Sequence, residues 1–275
     1  MSIYRPVPWG KRKPPTSTKN ASSLALASGL NAHWLMGEGS GSTLYDSGPH
    51  GIPATMTLST SWAAGNFGAP APGLGTSNNI ATVAATFNAY CSPTPISVSF
   101  WLKTNGTPAQ YQSPCGSTNG DTWNSGWGCY WNSGTVLRFF IQNYLTPASV
   151  TIATPTNWNF IVGTWDRATI RMYCNSIEGT STGYASGMDT TNQLLLGTMG
   201  NTNWQLPCKM ESFRVYNRVL TPNDIQQLYT TPFADLAMRR FFVAAPAAVG
   251  GAANRPVLVG GRLVNYGLTT RGLAA

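Results

Sequence analysis

The sequence is poor in charge. Only 9% of its 275 residues are Asp, Glu, Lys or Arg, against about 25% in an average protein. Helices favour Ala, Glu, Lys and Leu, and a chain this sparing of Glu and Lys is not built from them. Long apolar runs are also missing. No stretch approaches the roughly 20 residues that a membrane-spanning helix needs, so no membrane partner is expected. No signal peptide is expected either, because Pro6, Pro8, Pro14 and Pro15 stand where its apolar stretch would follow. The five cysteines, Cys91, Cys115, Cys129, Cys174 and Cys208, include no Cys-x-x-Cys pair, which argues against a zinc site. Their odd number is not a disulfide framework. They are expected to be mostly small buried hydrophobes, with one or two bridges open to them on exposure to oxygen.

What is abundant is Gly (29 residues) and Pro (19), with much Ser, Thr and Asn. This composition suits many short strands joined by turns. A hydrophobic fraction of 42% and ten Trp are enough to fill a core. The length accommodates one sizeable β domain or two small ones.

The net charge of +8 is unevenly distributed. Residues 1–20 carry Arg5, Lys11, Arg12, Lys13 and Lys19 and no acid, and residues 236–275 carry Arg239, Arg240, Arg255, Arg262 and Arg271 and no acid. The middle, 21–235, holds seven basic residues against all nine acids, a net of −2. The ends are basic and the body is not. Basic ends seek a negative partner. An acidic protein surface is the expected one. Nucleic acid is not, since the arms show little aromatic interleaving apart from Tyr4 and Trp9 and no recognition motif accompanies them.

Alternation is clearest in the middle of the chain. In ISVSFWLK, Ile96, Val98, Phe100 and Leu102 share one face, while Ser97, Ser99, Trp101 and Lys103 share the other. VLRFFIQ (136–142), NFIVGTWD (159–166), TIRMYCN (169–175), NQLLLGTM (192–199) and KMESFRVYNR (209–218) read as further strands, a spacing that indicates a sandwich. In TIRMYCN, Ile170, Met172 and Cys174 face one way, and Arg171 and Tyr173 the other. One short helix follows. Thr221 is its N-cap, Pro222 its first residue and Asp224 its third, and it ends near Tyr229. After Phe233 a linker of small residues leads to PVLVGGRLVNYGL. Its strand-like part, 257–268, is expected to pair with a neighbouring chain's sheet.

In order along the chain, HWLMGEGSGSTLYDSG, ISVSFWLKT, WNFIVGTWDRATIRMYCN, LLLGT and MESFRVYNRVLTPNDIQQLYTTPF resemble the laminin-G-like branch of the concanavalin A-like lectin/glucanase superfamily. The likeness covers roughly residues 33–233. The last piece is the most specific: a strand F-R-V-Y-N-R, then L-T-P-x-D/E-I, then L-Y and a Pro-Phe exit. The resemblance implies an all-β, two-sheet antiparallel jelly-roll sandwich with one short helix near its C-terminal end. It would occupy 21–235, between extended arms at 1–20 and 236–275. The chain departs from the family at Asp46-Ser47-Gly48-Pro49-His50-Gly51, where D-S-S-G-N-G is common, and at Asn175-Ser176, where Asn-Gly is common. A sandwich between such basic arms also resembles tailed-bacteriophage virion proteins.

The candidate chemistry is sparse. No two of the nine acids lie closer than eight residues. Glycoside hydrolysis needs two carboxylates about the bond, and the E-x-D-x-E spacing of the sandwich glucanases is missing. A Gly-x-Ser-x-Gly match at 179–183 sits in a Ser/Thr/Gly-rich loop, far in sequence from His33 and His50, and does not read as a nucleophile elbow. No catalytic residues are therefore assigned. Asp46 with Glu38 is the candidate Ca2+ site, against a turn-capping role for Asp46. Trp123, Trp127 and Trp131 are the candidate ligand platform, since exposed rings stack on the flat faces of sugars. Their shared parity also fits a core-facing strand. The expected function is that of a structural virion protein made in the host cytoplasm. It would be a capsid decoration, minor capsid or head-fibre component, bound through its arms to capsid or other virion proteins as an oligomer or in lattice copies. The alternative is a carbohydrate-binding or receptor-binding module with a glycan partner, and a glycan hydrolase is third.

Overall fold

The structure is a computed structural model. It describes residues 25–58, 62–91, 95–189 and 192–236, with the backbone alone at 257–259 and 262–264. Arg5, Lys11, Arg12, Lys13, Lys19, Arg239, Arg240, Arg255 and Arg271 lie outside the described residues. The side chains of Arg262 and Cys91 do too.

The chain enters through β1 (Leu30–Trp34), β2 (Thr43–Leu44) and β3 (Ala54–Met56). A hairpin of β4 (Trp62–Ala64) and β5 (Pro70–Leu74) follows, then β6 (Ala81–Val83) and a 3-10 segment, Ala85–Cys91. The long strands come next: β7 (Ile96–Thr104), β8 (Cys115–Ser117), β9 (Trp127–Ser133), β10 (Val136–Ile141), β11 (Ala148–Thr151), β12 (Asn159–Trp165), β13 (Thr169–Cys174) and β14 (Ile177–Gly183). β15 (Leu195–Leu196), β16 (Cys208–Tyr216) and helix α1 (Pro222–Thr230) complete this unit.

The ladders run as one antiparallel path, β2-β3-β6-β15-β8-β9-β10-β11-β14-β13-β12-β7-β16-β5-β4, with β1 on β16. The path bends at β14, which joins β11 through the single pair Ser149↔Thr180. The result is two facing layers, as the jelly-roll expectation requires. At their interface a methyl group on Gly163 of β12 would stand 2.6 Å from the Phe139 ring of β10. The layers therefore touch ring to backbone, and only glycine fits there.

Period-two alternation places the core. Ile96, Val98, Phe100 and Leu102 of β7, Ile170 and Met172 of β13, and Trp127, Cys129 and Trp131 of β9 all face the interlayer core. The outward face of β7 is also buried, because α1 covers it: Trp101 packs with Phe160, Leu220, Ile225 and Leu228. α1 starts as its sequence dictates. The Thr221 side chain accepts from the Asp224 N–H and the Asp224 side chain accepts from the Thr221 N–H, with Pro222 inside the first turn. Cys115, Cys129 and Cys208 are buried free thiols and Cys174 is half-buried.

Residues 240–275 form a separate unit. The strand-like part expected at 257–268 holds two strands: β17 (Val257–Val259) pairs antiparallel with β18 (Arg262–Val264). The intervening Gly260-Gly261 suits a two-residue hairpin connection.

Candidate functional site

The outer face of the second layer carries its own aromatic cluster. Alternation in β9 and β10 turns Tyr130 and Phe140 away from the interlayer core, and Trp123 and Met199 close over them. Tyr111, Tyr144 and Trp204 pack at the margin. The Trp204 ring meets Trp123 at 5.4 Å and 73° and Tyr111 at 5.6 Å and 76°, the edge-on geometry that aromatic quadrupoles favour.

An amide-rich rim surrounds these rings. The exposed Asp121 carboxylate accepts from Trp204 Nε1 at 2.8 Å, from Asn203 Nδ2 at 3.4 Å and from Asn201 Nδ2. Asn124 Oδ1 accepts from Asn119 Nδ2 at 2.9 Å and from Thr122 Oγ1 at 3.1 Å. The two loops meet backbone to backbone. At Gly200 (φ +71°) a Cβ would lie 1.9 Å from the Gly120 carbonyl oxygen, so no larger residue is accommodated there. This rim offers donors, acceptors and ring edges from four short segments, held in place by hydrogen bonds among themselves.

A second constellation lies inside the fold. His33 Nε2 is 2.9 Å from Ser212 Oγ, and His33 Nδ1 is 2.8 Å from Asp235 Oδ2. Ser212 sits at φ +55° in the irregular part of β16. Nucleophile, base and orienting acid stand in the order used for acyl transfer. Two features set this arrangement apart from a working triad. All three side chains are 0% exposed, so no substrate carbonyl reaches Ser212. Arg214 Nε and Nη2 also donate to Asp235 Oδ2 and Oδ1 at 3.1 and 3.0 Å. Burial first, and then the Arg214 charge, hold His33 below its ordinary value. Against burial, the Arg214 charge and the hydrogen bonds from His33 and Arg214 hold the Asp235 carboxyl far below the usual range.

Residues 74–226, more than half of the chain, match the family described as the concanavalin A-like lectin/glucanases superfamily. The chain belongs to that superfamily. Among solved structures it is similar to domain 4 of an extracellular arabinanase from Geobacillus stearothermophilus, in complex with arabinotriose. The TM-score is 0.58 at 19% identity, over 73% of this chain and 98% of that one. It is similar to the binding domain of botulinum neurotoxin serotype D, with TM-score 0.59 at 16% identity over 78% and 53% of the two chains. The binding domain of botulinum neurotoxin DC in complex with SialylT gives 0.55 at 14% identity over 74% and 52%. The chain spans about half the length of these neurotoxin domains. At such identities the likeness is one of fold. No curated protein matches the chain.

The superfamily fold disposes of the candidate site residues as follows. Trp127 and Trp131 point into the interlayer core at 1% and 0% exposure and present no ring face to a ligand, which corrects the platform expectation. Trp123 is 3% exposed and belongs to the outer cluster. Its parity with the other two does not hold because the strand begins only at Trp127, after Gly126 has taken φ +64°. The Ca2+ expectation is corrected as well. Asp46 accepts three backbone N–H groups, from His33, Gly48 and Ile52, and so caps its loop. Gly48 is needed there, since a Cβ would fall 2.6 Å from Ala32 Cα. Glu38 Oε1 accepts from the Tyr45 N–H at 2.9 Å, its Oε2 is buried without a partner, and burial pushes its carboxyl up. Among the described residues no three His, Cys, Asp or Glu side chains gather as a metal set. The Gly-x-Ser-x-Gly match falls in β14, an exposed strand. Sequence reasoning missed both the Asp121 rim and the His33 relay. The rim had one faint signal, the Asn, Asp and Trp content of 119–127 and 201–205.

Proposed function

We propose that the chain is a binding protein whose sandwich recognises a carbohydrate at the amide-rich rim around Asp121. The observation that carries this reading is the placement of Asp121, Asn124, Asn201 and Asn203 beside the half-buried Trp204 ring. A sugar ring offers neighbouring hydroxyls that both donate and accept, and an apolar C–H face. Side-chain amides and a carboxylate match the first, and an aromatic ring matches the second. That the arabinanase domain was solved with arabinotriose and a neurotoxin binding domain with SialylT supports the choice of ligand class. The test is a glycan array probed with the full chain, repeated with Asp121→Ala and Trp204→Ala. Hits lost in both variants while the fold is kept support the reading. Hits retained in both place the site elsewhere, and an array without hits removes the glycan.

A second reading concerns where the domain is carried, and it rests on the charge split: ten basic residues and no acid in the two arms, and a net of −2 between them. The arms anchor the sandwich to a virion surface through charge-assisted bonds to carboxylates of capsid or other virion proteins. Repetition over many copies in the lattice multiplies the weak contacts of each. Co-sedimentation with particles decides this. A chain trimmed to 21–235 that still decorates them at full occupancy removes the anchoring role.

A further inference from the structure

We propose that the contact of His33 with Asp235 and Arg214 is an acid-operated latch, which holds residues 231–236 against the sandwich and releases them on acidification. Three parts of the chain meet there. β1 supplies His33, β16 supplies Ser212 and Arg214, and the segment after α1 supplies Asp235. Arg214 grips this segment twice, through both Asp235 oxygens and through the Pro232 carbonyl. The other partners are of different strength. β1 is tied to β16 by a ladder from Leu30↔Tyr216 to Trp34↔Phe213. Residues 231–236 form no strand. Their backbone bonds, Thr231 N–H to Gln227, Ala234 N–H to Thr231 and Leu236 N–H to Phe233, reach no further than the end of α1. When the contact fails, the segment without a ladder gives way first.

The charges around His33 set the direction. Asp235 and Arg214 face it from the segment and from β16, Ser212 caps Nε2, and Asp46 accepts the His33 backbone N–H from the loop side. Tyr216 feels the same Arg214 and Asp235 charges. Glu211, the neighbour of Ser212, is turned to the Asn66 N–H. With His33 neutral, one carboxylate balances one guanidinium. A proton on His33 sets two cations against that carboxylate in a site closed to water, and opening lets both cations hydrate. Burial and the Arg214 charge already hold the His33 proton off at neutral pH, so proton uptake and opening are linked. One proton taken up on opening favours the open form by up to about tenfold per pH unit.

Hydrogen exchange of the full chain, corrected for the intrinsic pH dependence of amide exchange, tests the latch at pH 7 and pH 5. The expected result is a loss of protection of at least about tenfold in 227–236 at pH 5, with β10 and β12 unchanged. His33→Gln, which cannot take up the proton, is expected to show equal protection in 227–236 at both pH values. Protection in 227–236 that is unchanged at pH 5 in the wild-type chain overturns the latch, and so does loss in all strands together. A His33→Gln chain that keeps the pH response overturns His33 as the sensor. If that variant does not fold, the wild-type comparison decides alone.

Discussion

Asp235 Oδ1 lies 3.0 Å from Arg214 Nη2, and neither side chain is exposed at all. Removing one partner of such a pair leaves the other charge buried and uncompensated, which costs about 3–5 kcal/mol. Asp235→Ala is therefore expected to destabilise the sandwich by that amount, measured as a shift of the urea midpoint at unchanged slope. A loss under about 1 kcal/mol would mean that water reaches Arg214 in the folded chain.

Glu211 gives stability a pH dependence of its own. It is 2% exposed, and both its oxygens accept from the Asn66 N–H, at 3.0 and 3.1 Å. Burial pushes its carboxyl up to about 7, against the hydrogen bonds from Asn66 and Phe67. A carboxyl whose folded value lies above its free value of about 4.3 binds its proton more tightly when folded. Its contribution therefore favours folding at low pH and is lost as pH rises from about 4.3 to about 7, a change of the order of 3 kcal/mol. Glu211→Gln removes this slope, and urea midpoints at pH 5 and pH 8 then differ less than in the wild-type chain. An equal difference in both proteins would assign the slope to other groups.

These two carboxylates show what was legible in the sequence and what was not. The Thr221-Pro222-Asn223-Asp224 helix start and the alternation of β7 and β13 were readable because the partners lie within a few residues or within one strand. The His33–Ser212 contact joins residues 179 apart, and no local pattern announces it. Trp123 was misplaced by parity because a turn at positive φ resets the alternation before Trp127. The Asp121 rim draws on loops whose approach depends on the Gly120 and Gly200 backbones meeting, which composition only hints at.

Trp131 separates core from platform. Its ring is 0% exposed between the layers, with Leu137 opposite across the ladder. Trp131→Ala removes that ring and leaves a cavity, at a cost of about 3–5 kcal/mol. The expected outcome is a large fall in the denaturant midpoint. Trp131→Ala with wild-type stability and lost glycan binding would restore the platform.

The β13–β14 turn carries Asn175-Ser176, where the family resemblance leads to an expectation of Asn-Gly. Cys174 pairs with Ile177, so Asn175 and Ser176 are the two turn residues, at φ +50° and +67°. Both positions of such a turn need the left-handed region. Asn175 tolerates it and is also pinned by bonds to the Phe160 N–H at 2.8 Å and to Asn159 Oδ1 at 3.2 Å. Ser176 has no such excuse for its φ: its hydroxyl bonds only the adjacent Asn175 carbonyl, at 2.6 Å. Left-handed backbone costs a residue with a Cβ about 1–2 kcal/mol, and glycine avoids this but loses more entropy on folding, about 0.5–1 kcal/mol. Ser176→Gly is therefore expected to raise stability by about 0.5–1 kcal/mol, read as an upward shift of the urea midpoint. Because the turn lies far in the ladder from β15 and the Asp121 rim, glycan binding should stay as it was. A lower midpoint would mean that the Ser176 hydroxyl bond outweighs the backbone strain.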